Sequence, residues 1–327
     1  MNNKTVHKTS IGGQALIEGI LMRGPKGNAM ALRMPDGSIQ TEYKNYTFLK
    51  DKYKILGWPF IRGVVNFIES MIIGYKALIE SAEKTMNLED EEANAENMSK
   101  FDIWLNNHFG EKMVSAISAI AMVLGFAVAF FLFFWLPTFS ANIINKLAGG
   151  NLHNYLALFE GIMRIIIFVG YIAIVSNMKD IKRVFMYHGA EHKSIFCYEN
   201  GLELTVENVR KQKRFHPRCG TSFIFIVLII SILLSSIISI SFPTLRTTSI
   251  ALWIAVKILL LPFVTGISYE FIKYAGRHDN ILTKIFSAPG LWMQRLTVKE
   301  PTDDIIEVGI ASIKAVMTDN PEDDEIK

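Results

Sequence analysis

Four long apolar blocks constrain this chain more than any other feature. Residues 113–137, 155–178, 222–242 and 250–272 each supply roughly the 20 apolar residues that cross a bilayer's hydrocarbon. Lipid holds no water to satisfy backbone N–H and C=O groups, so blocks of this kind must be helical. The first, which contains AMVLGFAVAFFLFFWLP, is longer and freer of charge than the core helix of a soluble protein needs to be. The sequence therefore predicts a predominantly α-helical integral membrane protein with about four transmembrane helices.

Charge sets the expected orientation. The connection 179–221 carries nine Lys or Arg, whereas the other two connections carry one each, Lys146 and Arg246. By the positive-inside bias the 179–221 loop is cytoplasmic, and an even number of spans puts both termini on that side too. The chain is thus expected in a bacterial cytoplasmic membrane, with the lipid bilayer as its first partner. The net charge of +3 reads as membrane orientation, because the basic residues flank spans and are not interleaved with aromatic stacking residues, and no nucleic acid is expected. The N-terminus lacks the apolar core of a signal peptide, so the first span is expected to direct insertion. Cys197 and Cys219 both fall in the predicted cytoplasmic loop, where free thiols are the rule.

Outside the spans, residues 1–87 read as a small cytoplasmic α+β unit. Residues 29–34 and 38–43 flank Pro35-Asp36-Gly37, in which proline presets φ and glycine accepts a positive one, so a β-hairpin is predicted. Residues 59–85 have helical periodicity but carry Arg62, Glu69, Lys76 and Glu80. They are taken as an amphipathic helix on the membrane or on the bundle, with a re-entrant segment as the rival. Residues 88–100 form an acidic linker and 101–300 the four-helix bundle. In 301–327 an amphipathic helix, with Ile306, Ile310 and Ile313 on one stripe, precedes a tail expected to be disordered. The glycine-rich stretch Gly12-Gly13-Gln14-Ala15-Leu16-Ile17-Glu18-Gly19 lacks the Lys-Ser/Thr of a P-loop, so nucleotide binding is not expected. Glu18 and Arg23 are read as polar residues of a tight glycine-framed turn.

The chemistry concentrates after the second block. In Tyr187-His188-Gly189-Ala190-Glu191-His192-Lys193, a helix would put His188, Glu191 and His192 on one face at i, i+3 and i+4. Two imidazoles one turn apart can chelate a divalent metal, and a neighbouring carboxylate can act as general base. The order H-x-x-E-H is also that of the inverted zinc peptidases. His216-Pro217-Arg218-Cys219-Gly220 then offers His216 and Cys219 in a turn-forming context, and Glu270 stands near the cytoplasmic end of the fourth span. The candidate metal ligands are therefore His188, His192, His216, Cys219 and Glu270, with Glu191 as the candidate catalytic base and zinc as the expected divalent metal. The plain alternative is that these histidines bind phosphate headgroups or cap helix ends. Glu160, Arg164 and Lys257 are charges inside spans, open to a functional or a mutually neutralised structural reading.

The set GGQALIEGILMRGP, PFIRG, YHGAEHK, HPRCGTSF, SYEFIKYAGR and PGLWMQRLT, spread over nearly the whole chain, resembles the YqhQ-like family of bacterial membrane proteins. That family is of unknown function and is described as predicted metal-dependent enzymes. One departure is Val298-Lys299, where the family pattern has threonine and arginine. The resemblance implies His188, Glu191, His192, His216, Cys219 and Glu270 as the motif residues. Three functions remain open on the sequence: a metal-dependent hydrolase acting on a membrane-associated peptide or lipid-linked substrate, a membrane scaffold with a structural zinc, and a small-solute transporter.

Overall fold

The computed structural model describes residues 8–46, 49–85, 120–152, 155–278, 280–318 and 323–325. The acidic linker and the first seven residues of the predicted first span lie outside these. The chain divides into two compact units, one built from Met1–Thr85, Val169–Ser231 and Leu260–Lys327, the other from Met86–Phe168 and Ile232–Leu259.

The first unit is organised around an antiparallel sheet of four strands in the order β1 (Gly12–Leu16), β2 (Gly19–Gly24), β3 (Gly27–Arg33) and β4 (Ile39–Lys44). The predicted hairpin is β3–β4, closed by Gly37 at φ +82° and by the Asp36 carboxylate, which accepts from the Ser38 N–H at 2.8 Å. The stretch read as a glycine-framed turn is itself the hairpin β1–β2, with Glu18 at its tip at φ +51°. Arg23 lies in β2.

Strand alternation gives the sheet two apolar faces. Ile20, Met22, Ala29 and Ala31 pack with Tyr187, Ala190, Ile195, Ile305, Ile306 and Ile313. Leu16, Leu21, Met30 and Leu32 pack with Ala77. The helices that cover these faces are α1 (Ile61–Thr85), α4 (Lys179–Glu199) and α8 (Asp303–Val316). The C-terminal helix thus shares one core with the N-terminal sheet, because the face made by Ile20 and Met22 needs α4 and α8 to exclude water. The tail expected to be disordered is docked at 323–325. Asp324 is fully buried, accepts from Tyr198 Oη at 2.7 Å and from the Ser10 N–H at 2.6 Å, and Glu325 bridges to Thr9.

Among the described residues, four helices are long and apolar enough to cross a membrane: α2 (Ile120–Leu147), α3 (Leu156–Val175), α5 (Gly220–Ser241) and α6, whose apolar part is Ile250–Ala275 and whose helix ends at Arg277. They coincide with the four predicted blocks except that α2 runs ten residues past Pro137. Proline has no N–H for the carbonyl four residues earlier. A wide π turn at Phe131–Trp135 precedes it, and that carbonyl, on Phe133, accepts from Arg164 Nε at 2.9 Å. The helix therefore passes the proline without breaking.

In the second unit the three charges noted within spans meet. Glu160 accepts from Lys257 Nζ, from Arg164 at 3.0 Å and from Trp253 Nε1 at 2.9 Å, and Lys257 also donates to Thr138 Oγ1 at 2.6 Å. Glu160, Arg164, Trp253 and Lys257 are all buried.

Candidate metal centre

The centre is built on α4, in the first unit. Gly189, in the middle of this helix, is there because of a crossing: a Cβ at this position would run into the carbonyl oxygen of Lys299, and Gly309 of α8 likewise sits tight against Ser194 and Ala190. Glycine weakens a helix by about 1 kcal/mol relative to alanine, whereas forcing an atom into a filled contact costs about 1–3 kcal/mol. Gly189→Ala is therefore expected to lower the melting temperature. A rise would mean that the residue is only a poor helix former and that the crossing is slack.

Beside this contact, His188 and His192 stand one turn apart with ring centroids 4.4 Å from each other. Each imidazole is tied through Nδ1 to a backbone carbonyl, His188 to Thr297 at 3.0 Å and His192 to Arg214 at 2.6 Å. A carbonyl only accepts, so both Nδ1 atoms carry a proton, and in the neutral ring Nε2 is the nitrogen left to accept a proton or hold a metal. This is the way protein metal sites orient histidine ligands. His188 Nε2 lies 3.1 Å from Cys219 Sγ, which also receives a bond from Thr221 Oγ1 at 3.3 Å. One ligand atom from each of His188, His192 and Cys219 lies within 4.8 Å of the others. Tetrahedral zinc, with bonds of about 2.0–2.3 Å, separates its ligands by roughly 3.3–3.8 Å, so small side-chain adjustments close the set.

Glu191 flanks this trio. One carboxylate oxygen accepts from the Gly13 N–H at 3.0 Å, while Oε2 is buried without a partner. Burial pushes its pKa up, against the opposing pull of His188 and the Gly13 N–H. Burial above all holds the His192 pKa below its ordinary value, which favours the neutral ring that a ligand must be. Gly13 explains part of the first motif: a Cβ there would come 2.8 Å from the Leu21 carbonyl and 3.2 Å from the Glu191 carboxyl carbon. Strand β1 can approach Glu191 because that position has no side chain.

His216 and Glu270 are placed differently. The His216 ring turns to a buried ion cluster. Its Nε2 is 3.7 Å from Glu199 Oε2, and Glu199 is also bonded by Arg218 and by the Thr9 N–H at 3.0 Å. Burial lowers the His216 pKa, with Glu199 opposing it. Burial would raise that of Glu199, but His216 and Arg218 outweigh it and the net direction is down. The His216 backbone is clamped by Gln294 of α7 (Ile281–Thr297), which accepts from its N–H and donates to its carbonyl, both at 2.8 Å. Glu270 is held by Arg62 through two bonds of 2.7 and 2.5 Å, and accepts from the Phe60 N–H at 3.2 Å. Glu18 likewise faces away from the trio, bonded by Arg183 and, at 3.0 Å, by Tyr187 Oη. Among the described residues, the structure brings together three of the five candidate ligands.

Residues 58–319 match the family described as a protein of unknown function, DUF1385. The chain belongs to this family. It is 35% identical over 312 residues to the uncharacterized protein YqhQ of Bacillus subtilis, covering 94% of this chain and 92% of that one. No solved structure matches the chain. The DUF1385 match takes in α4, the 214–219 segment and Thr297, so His188, Glu191, His192 and Cys219 lie within the matched region, while Gly13 lies before it.

What sequence reasoning missed in the centre is its backbone part. The Thr297 and Arg214 carbonyls and the Gly13 N–H carry no residue-type signal. Glu199 had one: a glutamate seven residues after His192 and two turns down the same helix.

Proposed function

We propose that this DUF1385 protein is a membrane-bound, metal-dependent hydrolase whose ion is held by His188, His192 and Cys219. The observation that carries the reading is that both imidazoles already have Nδ1 pinned by carbonyls, with their free nitrogens gathered beside a cysteine sulfur. Nitrogen and thiolate donors of this kind favour zinc. Three protein ligands leave a coordination position open, which is the pattern of catalytic rather than structural zinc.

When bound, the ion would polarise a water or a substrate oxygen. Glu191 would take the proton released, at Oε2, while Gly13 holds its other oxygen in place. Thr297 and Arg214 keep the two rings from rotating, and Cys219 supplies the third ligand from the start of α5. Because α5 is one of the four apolar helices, the reading puts the centre at a membrane interface. The basic 179–221 connection makes that the cytoplasmic face, with both termini on the same side. A membrane-associated peptide or a lipid-linked ester fits such a location.

The test is the metal content of the detergent-purified protein, prepared without chelator and read by mass spectrometry beside His188→Ala/His192→Ala. About one zinc per chain, lost in the double variant, is the expected result. A parent that binds no transition metal even after reconstitution would overturn the reading and return the histidines to headgroup binding.

A further inference from the structure

Helix α1 is built inside out for a helix in water. Its buried positions are Gly63, Glu69, Gly74, Ala77 and Ser81, small residues together with one carboxylate. Ile73 and Leu78 pack on the sheet, but six of its large apolar side chains face outward: Phe67, Ile68, Met71, Ile72, Tyr75 and Ile79 are each 40–60% exposed. At successive steps of one, three and four residues, these six form a single stripe.

The charges of α1 are turned the other way. Arg62 is held by Glu270 and Glu69 is buried, accepting from the Leu49 N–H at 2.6 Å. Near the end of the helix, Glu80 and Lys84 join Glu42 and Lys44 of β4 in one ion cluster. Only Lys76 and Glu83 are charged and outward, and a lysine stem can snorkel.

Besides the sheet, α1 has candidate spans as neighbours. A Cβ on Gly63 would meet Tyr269, Phe60 lies 5.8 Å from Phe263, and Phe67 lies 5.8 Å from Phe223, ring centroid to centroid. Phe223 belongs to α5, and Phe263 and Tyr269 to α6. The exposed stripe thus continues the apolar surface of helices that themselves fit a bilayer.

We propose that α1 is embedded in one leaflet, with the stripe from Phe67 to Ile79 sunk among acyl chains and the helix not crossing. A helix of 25 residues is about 37 Å long, enough to span, but the ion cluster with Glu42 and Lys44 holds its C-terminal end on the sheet. An amphipathic helix lying in the interface buries its apolar face about 5–10 Å deep. The occupant of the stripe is therefore lipid, and the proposal does not depend on the metal reading.

Spin labels at Met71→Cys and Tyr75→Cys, in the full chain reconstituted into phosphatidylethanolamine and phosphatidylglycerol vesicles, test this. Cys197 and Cys219 are buried, and the parent labelled in parallel sets their background. Collisions with oxygen are expected to exceed those with a water-soluble nickel chelate at 71 and 75, with the order reversed at Glu83→Cys. Chelate excess at 71 and 75 would put the stripe in water and overturn the proposal. Shielding from both reagents would overturn it too, because protein, such as a second copy of the chain, would then cover the face. A label at the equally exposed Ile68 repeats the measurement should either variant fail to fold.

Discussion

Glu160→Ala is expected to destabilise the protein by about 3–5 kcal/mol, the range for removing one partner of a buried ion pair. Glu160 serves Lys257, Arg164 and Trp253 at once, and all four residues are buried. Without this carboxylate two cations stay in an apolar setting with the desolvation cost uncompensated. Lys257→Met should cost less, because Glu160 then keeps Arg164 and Trp253. The measurement is thermal unfolding in detergent. A Glu160→Ala protein that melts like the parent would show that the cluster contributes nothing to stability.

The second large effect follows from the proposed metal site. Cys219→Ala is expected to weaken zinc binding by more than about 100-fold, beyond the 10–100-fold usual for groups that only orient a ligand. His216→Ala should fall well short of that, because its ring faces Glu199 and Arg218. Glu191→Gln should leave affinity within about tenfold of the parent, since Glu191 lies outside the ligand set and the amide oxygen can still accept from Gly13. Competition with a calibrated chelator reads all three. Equal losses at Cys219 and His216 would make His216 a fourth ligand and the site a closed, structural one.

The variants also mark how far the centre was legible in the sequence. His188, Glu191 and His192 could be grouped from spacing alone, because helix geometry fixes which side chains share a face. Cys219 could be added only as one of several soft donors. Nothing in one dimension separates it from His216, three residues earlier, yet the turn aims one at the trio and the other at Glu199. Glu270 is the same lesson at longer range: its partner Arg62 is 208 residues away, and only the packing of α1 on α6 brings them together.

By itself the sequence determined the four apolar helices, the β3–β4 hairpin and the helical face of His188 and His192. These follow from local rules: the length of apolar runs, the backbone freedom of Pro-Asp-Gly and the 3.6-residue turn. The tertiary structure decided that α2 continues past Pro137, that residues 12–16 are a strand, that α8 shares a core with the sheet, and which carboxylate serves which cation. Each of these depends on groups distant in the chain. Arg164 meets the Phe133 carbonyl, the Gly13 N–H meets Glu191, and Ile306 covers Met22. A backbone acceptor or a face in need of cover looks the same in every sequence until folding supplies its partner.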